Sequence, residues 1–199
     1  MTAHAELLHM PITARDARGT TAVDRDAARA LASETIRYAI APCSLGRVLV
    51  ATSAHGIIAL FLGSDDEELQ GELAGRFPAA TLEEGGEEMD AITAQVVAFV
   101  DSPAEELSVP LDIRGTAFQQ SVWGILRKIP PGTPASYREI AEQIGRPKAV
   151  RAVAQACWAN PIAIVVPCHR VVRSDGAISG YHWGVERKRA LLEREAAAS

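Results

Sequence analysis

The segment best equipped for chemistry is Pro167-Cys168-His169-Arg170, which follows the apolar run Ile162–Val166. A thiol is only a few per cent ionised at neutral pH, so a nucleophilic cysteine needs a base or a cation close by. His169 is the adjacent candidate base, and Arg170 is a local cation. Adjacent side chains of an extended chain point in opposite directions, so we expect a turn, or a bridging water, to connect imidazole and thiol. The pattern predicts a reactive Cys168 beside a buried strand; the alternative is an inert buried thiol.

The other two cysteines, Cys43 and Cys157, lack such neighbours, and we expect both to be inert. Three cysteines at these spacings form neither a disulfide framework nor a structural zinc site, and we expect no metal and no cofactor. No apolar run approaches the roughly 18 residues of a membrane-spanning helix, and the first thirty residues lack the apolar core of a secretory signal. These features predict free thiols in a reducing cytoplasm and no membrane partner.

Charge divides the chain into an acidic and a basic half. Up to Asp112 there are 7 Lys and Arg against 19 Asp and Glu, and from Ile113 onward there are 13 against 6, which together give the net charge of −5. A basic second half favours contact with phosphate in that half alone. The alternative is an uneven spread of solvated charges with no partner.

The acidic half is expected to contain a tail and a small α/β domain. Residues 1–34 show little apolar periodicity and are predicted to be a tail or linker, disordered in part. Ser64 is the expected N-cap of a helix towards Phe77, and a second helix is expected at about Glu87–Asp101. Three aliphatic runs with turns between them predict an antiparallel meander: Thr35–Pro42, Arg47–Thr52 and Gly56–Leu62. We therefore expect a supporting N-terminal domain over residues 35–112.

The basic half, residues 113–199, is expected to be mostly helical. Thr116 can cap a first helix, and Ser136 with Glu139 forms a capping box for a second helix that begins at Tyr137. A turn containing Gly145 and Pro147 separates it from a third helix, from Lys148 to about Trp158. Two helices joined by a short turn have the outline of a helix-turn-helix, although any helical hairpin shares it.

The third of these helices carries alanine at positions 149, 152, 154 and 156. Small side chains allow a helix backbone to come close to its partner. If that partner is DNA, the helix suits a narrow groove that is read for its shape. Arg151 is the long cation that would project from it. The alternative is that the alanines pack against a tight protein core.

The block Ile164-Val-Val-Pro-Cys-His-Arg-Val-Val172 closely resembles the active-site signature of the O6-alkylguanine-DNA alkyltransferases. Several further segments match that family in order and spacing: Arg114–Trp123, Ser136-Tyr137, Pro147–Val153, Asn160 and Ser179–Gly184. The resemblance is strong from Leu111 to Glu195 and looser from Thr35 to Asp112. It is especially close to the alkyltransferase half of larger, two-part bacterial members. It implies an α+β fold with a small sheet domain and a helical domain that holds the helix-turn-helix and the active-site loop.

The resemblance also implies the chemistry. Cys168 resembles the alkyl acceptor, which takes the O6 substituent of guanine by in-line displacement and keeps it as a thioether. His169 resembles the family's water-mediated base, and Glu195 the acid that orients it; the sequence alone does not separate Glu195 from Glu193. DNA repair by direct reversal is therefore expected, with O6-methylguanine and also O4-methylthymine as candidate substrates and one transfer per protein molecule.

The resemblance also implies which residues contact DNA. Tyr137 and Arg151 match the residues that rotate the target nucleotide out of the duplex and fill its place. Ala149, Ala152 and Gln155 are expected to contact DNA as well. In the family, the helix-turn-helix enters the minor groove of double-stranded DNA, and we expect this chain to do so as a monomer.

A base pocket is the last feature that the resemblance implies. Asn160 matches a hinge asparagine that ties the helix to the active-site loop, and residues 174–183 match the loop that walls the pocket. The expected pocket residues are Asn160, Val171, Ser174, Tyr181 and Trp183. Because Trp183 is bulky, we hypothesise that it narrows the pocket, so that methyl adducts react well and benzyl-sized adducts poorly.

Three other functions stay open at this point. A non-catalytic binder of alkylated DNA is the main alternative, although proteins of that kind lack the acceptor cysteine. A transcriptional regulator would need sequence-specific binding, which an alanine-rich helix does not favour. A Cys-His hydrolase would turn over its substrate and remain unmodified.

Overall fold

The structure is a computed structural model that describes residues 34–102 and 107–198. The tail predicted for residues 1–34 lies outside this range apart from Glu34. Within the described residues, no helix combines the length and the hydropathy needed to cross a membrane.

Three antiparallel strands form the core of the first half, as the aliphatic runs predicted: β1 (Thr35–Cys43), β2 (Gly46–Ser53) and β3 (Gly56–Gly63). The turn between β2 and β3 requires glycine. Gly56 has a φ of +132°, and a Cβ atom there would lie 2.2 Å from the carbonyl oxygen of Pro110. Strand β3, at one edge of the sheet, is almost completely buried, and the middle four residues of β2, Val48–Ala51, are buried as well.

A fourth strand, β4 (Thr81–Glu84), pairs in parallel with β1 and completes the sheet in the order β3-β2-β1-β4. The prediction of a purely antiparallel sheet therefore holds for three strands and misses the fourth. The reason is local: β4 is short and lies at the edge, and three of its four residues are exposed, so it lacks the alternation of apolar and polar residues that marks a strand.

Two helices flank the sheet in this half: α1 (Asp66–Arg76) and α2 (Glu87–Asp101). The cap of α1 is Asp65 and not Ser64, because the Asp65 carboxylate accepts the backbone N–H of Glu68 at 3.0 Å. Helix α2 has the predicted bounds. Both helices turn apolar residues towards the strands, Leu69 and Leu73 from α1 and Met89, Val96 and Val100 from α2.

Four helices form the second half: α3 (Ala117–Leu126), α4 (Tyr137–Gln143), α5 (Val150–Trp158) and α6 (Val185–Ala197). Thr116 and Ser136 each complete a capping box, with Gln119 and Glu139 respectively. Helices α3, α4 and α5 pack on one another, and α5 begins two residues later than predicted. Helix α6 was not predicted, because its sequence is dominated by charged residues.

The segment between α5 and the reactive cysteine is buried as expected, but its backbone forms turns instead of a strand. Ile164 has a φ of +66°, and the N–H of Val165 donates to the carbonyl of Ala163 at 2.7 Å, which closes a γ-turn. Leu60 of β3 exchanges hydrogen bonds with the carbonyl of Pro161 and the N–H of Ala163, both at 2.9 Å. The sheet therefore anchors the chain that leads to Cys168.

A two-stranded parallel sheet follows the cysteine. It pairs β5 (Ala135–Ser136), which leads into α4, with β6 (Val171–Val172). The start of the helix-turn-helix is thus joined by backbone hydrogen bonds to the residues just after the reactive segment.

Candidate active site

Cys168 begins a single turn of 3-10 helix, Cys168–Arg170, and its side chain is almost completely buried. Asn160, which follows α5, holds it in place. The Asn160 Nδ2 atom donates to the Cys168 Sγ at 3.2 Å and to the carbonyl of Val166 at 2.8 Å, while its Oδ1 accepts the N–H of Ile162 at 2.9 Å. One buried amide therefore connects the end of α5 to the segment that leads to Cys168 and to the thiol itself.

Burial raises the pKa of the Cys168 thiol to about 11, although the Asn160 hydrogen bond and the charge of Lys188 act to lower it. The thiol is therefore protonated at neutral pH in the resting protein. A reaction at its sulfur requires that the proton leave as the bond forms, so a base must lie nearby.

His169, Glu195 and Arg170 form a buried network that begins at the residue after Cys168. The His169 Nε2 atom lies 2.8 Å from the Glu195 Oε1 atom, and Arg170 donates from Nε and Nη2 to the same carboxylate at 2.8–3.1 Å. Burial alone would raise the pKa of Glu195, but its hydrogen bonds with His169 and Arg170 lower the pKa to about 2. Glu195 is therefore a carboxylate at neutral pH, and Glu193, which the sequence did not separate from it, is exposed.

An ionised Glu195 determines which nitrogen of His169 is basic. Because a carboxylate only accepts hydrogen bonds, His169 Nε2 carries the proton that it donates to Glu195, and the neutral ring has its lone pair on Nδ1. Burial lowers the pKa of His169, which keeps the ring neutral. Nδ1 has no hydrogen-bond partner in the described part of the chain, so it is the nitrogen able to receive a proton.

Lys188 is a residue of the candidate site that sequence reasoning missed. It is fully buried, and its ammonium group donates to the carbonyl of Val171 and, at 3.4 Å, to the Ser179 Oγ atom. Burial lowers the pKa of Lys188, and a negative charge on Cys168 would raise it. A lysine in a charged helix is normally exposed, so the sequence carried no signal for a cation next to the thiol.

A cavity of about 280 Å³ opens at Cys168. Tyr137 lies in its wall, where the phenol makes a 2.8 Å hydrogen bond with the Ser179 Oγ atom. The remaining lining is mainly apolar: Ala154, Cys157, Trp158, Gly180, Tyr181 and His182. Cys157, expected to be inert, thus shares the cavity with Cys168, although burial raises its pKa strongly. Among the described residues, no three His, Cys, Asp or Glu side chains are grouped as a metal site requires.

Of the five expected pocket residues, only Tyr181 lines this cavity. Asn160 supports the thiol from the side of the loop, and the Val171 carbonyl is engaged by Lys188. Ser174 is exposed on the loop. Trp183 is buried against Phe61 and Tyr181, with ring centroids at 6.4 and 5.3 Å. Because Tyr181 lines the cavity and the buried Trp183 does not, Trp183 does not narrow this cavity directly.

The residues expected to contact DNA lie on α5 and at its start. Arg151 and Gln155 are exposed, whereas Ala149 and Ala152 are half-buried. Half-buried alanines leave the helix backbone accessible to a close partner. The tertiary structure thus brings Cys168, His169, Glu195 and Tyr137 to one place and puts Arg151 outside that cluster, on the surface.

Known proteins are similar to this chain in both sequence and fold. Residues 117–197 match the family model described as "6-O-methylguanine DNA methyltransferase, DNA binding domain". The chain is 55% identical over 161 residues to the bifunctional transcriptional activator/DNA repair enzyme Ada of Escherichia coli K12, covering 81% of this chain and 46% of that protein. It is 38% identical over 153 residues to the inducible methylated-DNA–protein-cysteine methyltransferase of Bacillus subtilis, covering 75% of this chain and 84% of that protein. The chain therefore spans about half the length of Ada.

The fold is also similar to solved structures. The O6-methylguanine methyltransferase of Mycobacterium tuberculosis has a TM-score of 0.67 and 37% sequence identity, covering 82% of this chain and 94% of that one. The structure of the Mycobacterium tuberculosis protein in complex with DNA has the same TM-score and identity. These similarities extend over the sheet as well as the helices.

Proposed function

Because the chain belongs to the family of methylated-DNA–protein-cysteine methyltransferases, we propose that it repairs DNA by moving the alkyl group of O6-methylguanine onto Cys168. The observation that carries the proposal is the position of the Cys168 thiol. It opens into a cavity, and the next residue in the chain is a histidine whose orientation a buried carboxylate fixes. O4-methylthymine is a second candidate substrate.

The proposed reaction is one displacement. The Cys168 sulfur attacks the alkyl carbon in line with the bond to O6, a carbon–sulfur bond forms, and the carbon–oxygen bond breaks. The thiol proton passes to His169 Nδ1 through a bridging water, the departing guanine takes a proton from solvent to become the normal base, and the imidazolium then returns its proton to solvent, so that the net change moves one proton from sulfur to guanine. Glu195 stabilises the imidazolium that forms, and the Asn160 amide and the Lys188 charge stabilise negative charge developing on the sulfur.

This chemistry sets the stoichiometry. A thioether has no easy leaving group, so each protein molecule accepts one alkyl group and is not regenerated. The added group also enlarges a side chain that is already buried, which should strain its surroundings.

The proposed DNA complex places α5 in the minor groove of double-stranded DNA, with one protein molecule at the lesion. The alanines at 149 and 152 permit close approach, and Gln155 faces the groove. Tyr137, in the cavity wall, and Arg151, on the exposed face of α5, are suited to rotating the target base out of the helix. Phosphate contacts should make the affinity salt-dependent and only weakly sequence-dependent.

We also propose that the two halves of the chain have different roles. Residues 35–112 support the site, and residues 113–199 carry out DNA binding and transfer. The cytoplasm is the proposed location, because the three cysteines are unpaired and a reducing compartment keeps an acceptor thiol free.

The deciding experiment is the mass of the intact protein after incubation with a duplex that contains one O6-methylguanine. We expect a gain of one CH₂ unit that saturates at one equivalent. Cys168→Ala should gain nothing, and Cys157→Ala, which removes the other thiol of the cavity, should gain as much as the native protein. Tight binding to the lesion without any mass gain would instead support a damage-binding protein.

A further inference from the structure

Trp158 is unusual among the aromatic residues of this chain because its indole is left in solvent. It is 57% exposed, while the other two tryptophans, Trp123 and Trp183, are buried. In the described part of the chain, only Val185 is also a large exposed hydrophobic residue, and it lies on α6, outside the cavity lining. The exposed indole of Trp158 instead forms part of the wall of the cavity that holds Cys168.

The position of Trp158 on α5 links two surfaces. Residues Arg151, Ala154 and Trp158 are spaced at i, i+3 and i+7, so they share one face of the helix. Arg151 begins this face on the exposed surface, while Ala154 and Trp158 line the cavity. Trp158 therefore lies where the surface that carries Arg151 meets the mouth of the cavity.

The indole is also braced in this position. The ring of His182 meets it edge-on, with ring centroids 4.9 Å apart and an interplanar angle of 80°. His182 is itself held by a 2.9 Å hydrogen bond from its Nε2 atom to Glu72 of α1. Trp158 is thus an aromatic surface fixed in place before any ligand arrives, which lowers the entropy cost of a contact with it.

From these observations we propose that Trp158 is a specificity-determining residue that stacks against the extruded alkylated base. The proposal rests on the function proposed above. A base that leaves the duplex loses its stacking with both neighbours, and an aromatic ring at the mouth of the cavity replaces part of that contact. Stacking uses the π-face that every base has, so Trp158 favours an extruded base over an intact duplex without reading sequence. The indole that acts on substrate choice is then Trp158, in the cavity wall, and not Trp183.

The test measures binding separately from transfer. In a Cys168→Ala background, we would measure Kd for a duplex with one O6-methylguanine and for the same duplex without it. Adding Trp158→Ala should reduce the preference for the lesion about tenfold, with the Kd for the undamaged duplex unchanged. Trp158→Phe should keep most of the preference, because it retains an aromatic face. Val185→Ala, the matched truncation of an exposed apolar residue, should leave both values unchanged.

Other outcomes would overturn the proposal. An unchanged preference in Trp158→Ala would show that the indole does not contact the base. An equal loss of affinity for both duplexes would make Trp158 a general DNA contact. Loss of preference in Trp158→Phe as great as in Trp158→Ala would argue against stacking.

The proposed function can fail while this proposal holds. If the native protein gains no mass from the lesion and Trp158 still controls the binding preference, the proposed alkyl transfer is wrong and the stacking contact is supported.

Discussion

Helices α5 and α6 both border the candidate site, but they contribute to it in opposite ways. Helix α5 buries only uncharged residues, Val153, Ala156 and Cys157, and exposes its cation, Arg151. Helix α6 is rich in charge and buries two of its charged residues, Lys188 and Glu195. The comparison shows that α5 follows the usual amphipathic rule, whereas α6 is stable only because other elements supply partners for its buried charges.

The partners of α6 come from both halves of the chain. Arg170, His169 and the N–H of Gly132 all bind the Glu195 carboxylate. Two α6 arginines also reach the sheet side: Arg187 donates to the carbonyl of Leu45 and Arg194 to the hydroxyl of Ser44, both at 2.8 Å. The turn between β1 and β2 thus holds the helix that carries Glu195, which explains how a sheet distant from the chemistry supports the site.

The largest loss of stability is expected from Glu195→Gln, which changes one of the two buried charges of α6. The change leaves the Arg170 guanidinium buried without its carboxylate, so we expect the free energy of unfolding to fall by about 3–5 kcal/mol. Urea denaturation measures the loss. Glu193→Gln, an exposed position on the same helix, is the matched control and should change stability by less than about 0.5 kcal/mol. Equal losses of stability in Glu195→Gln and Glu193→Gln would contradict the conclusion that α6 depends on partners for its buried charges.

Low pH should destabilise the protein by protonating Glu195 of α6. The folded pKa of Glu195 is about 2, below its ordinary value, so its carboxylate stabilises the fold above about pH 4.5 and loses that effect as the pH falls towards 2. The loss amounts to about 3 kcal/mol. The pKa of His169 is lowered as well, so its stabilising effect, complete above about pH 6.5, is lost as the pH falls below that value.

Unfolding free energies measured across this range check the prediction. Glu195→Gln should show a flatter decline between pH 4.5 and 2 than the native protein. A native-like slope in that variant would mean that other carboxylates account for the acid sensitivity.

An intermediate effect is expected at the end of α5. Asn160→Ala removes the hydrogen bonds to Val166, Ile162 and Cys168, so we expect about 1–3 kcal/mol lower stability and slower alkyl transfer, since the sulfur loses a donor. Denaturation and single-turnover rates measure the two effects. Gln155→Ala removes an exposed amide from α5 and should leave stability unchanged. A transfer rate as fast as that of the native protein would show that Asn160 only holds the loop.

The smallest effect on stability should come from Arg151→Ala. Arg151 is exposed and is not buried against the core, so we expect a change below about 0.5 kcal/mol. Transfer from a methylated duplex should nevertheless slow, while reaction with free O6-benzylguanine, which involves no duplex, should not. A loss of stability in Arg151→Ala comparable with that of Asn160→Ala would contradict the conclusion that α5 exposes its cation without a structural role. An equal slowing with free O6-benzylguanine would show that Arg151 does not act through the duplex.

Elements governed by local pattern could be predicted closely. The strands β1 to β3, the bounds of α2, the cap at Thr116 and the capping box at Ser136 depend on residues close together in the sequence. The parallel edge strand β4 and the γ-turn at Ile164 could not be predicted, because strand pairing and burial from distant residues determine them. For the site, motif resemblance identified Cys168, His169 and Glu195, while Lys188 and Trp158 carried no sequence signal for a place beside the thiol.

The amino-acid sequence by itself determined the family, the meander and the helix-turn-helix outline, and it indicated Cys168 as the candidate nucleophile, because these depend on residue type and short-range spacing. Only the tertiary structure decided that Glu195 and not Glu193 binds His169, that His169 Nδ1 has no hydrogen-bond partner among the described residues, and that the cavity is lined by Trp158 and not Trp183. The physical reason is that a charge or ring acquires its role from burial and from the partners that packing brings to it, and those partners lie far away in the sequence.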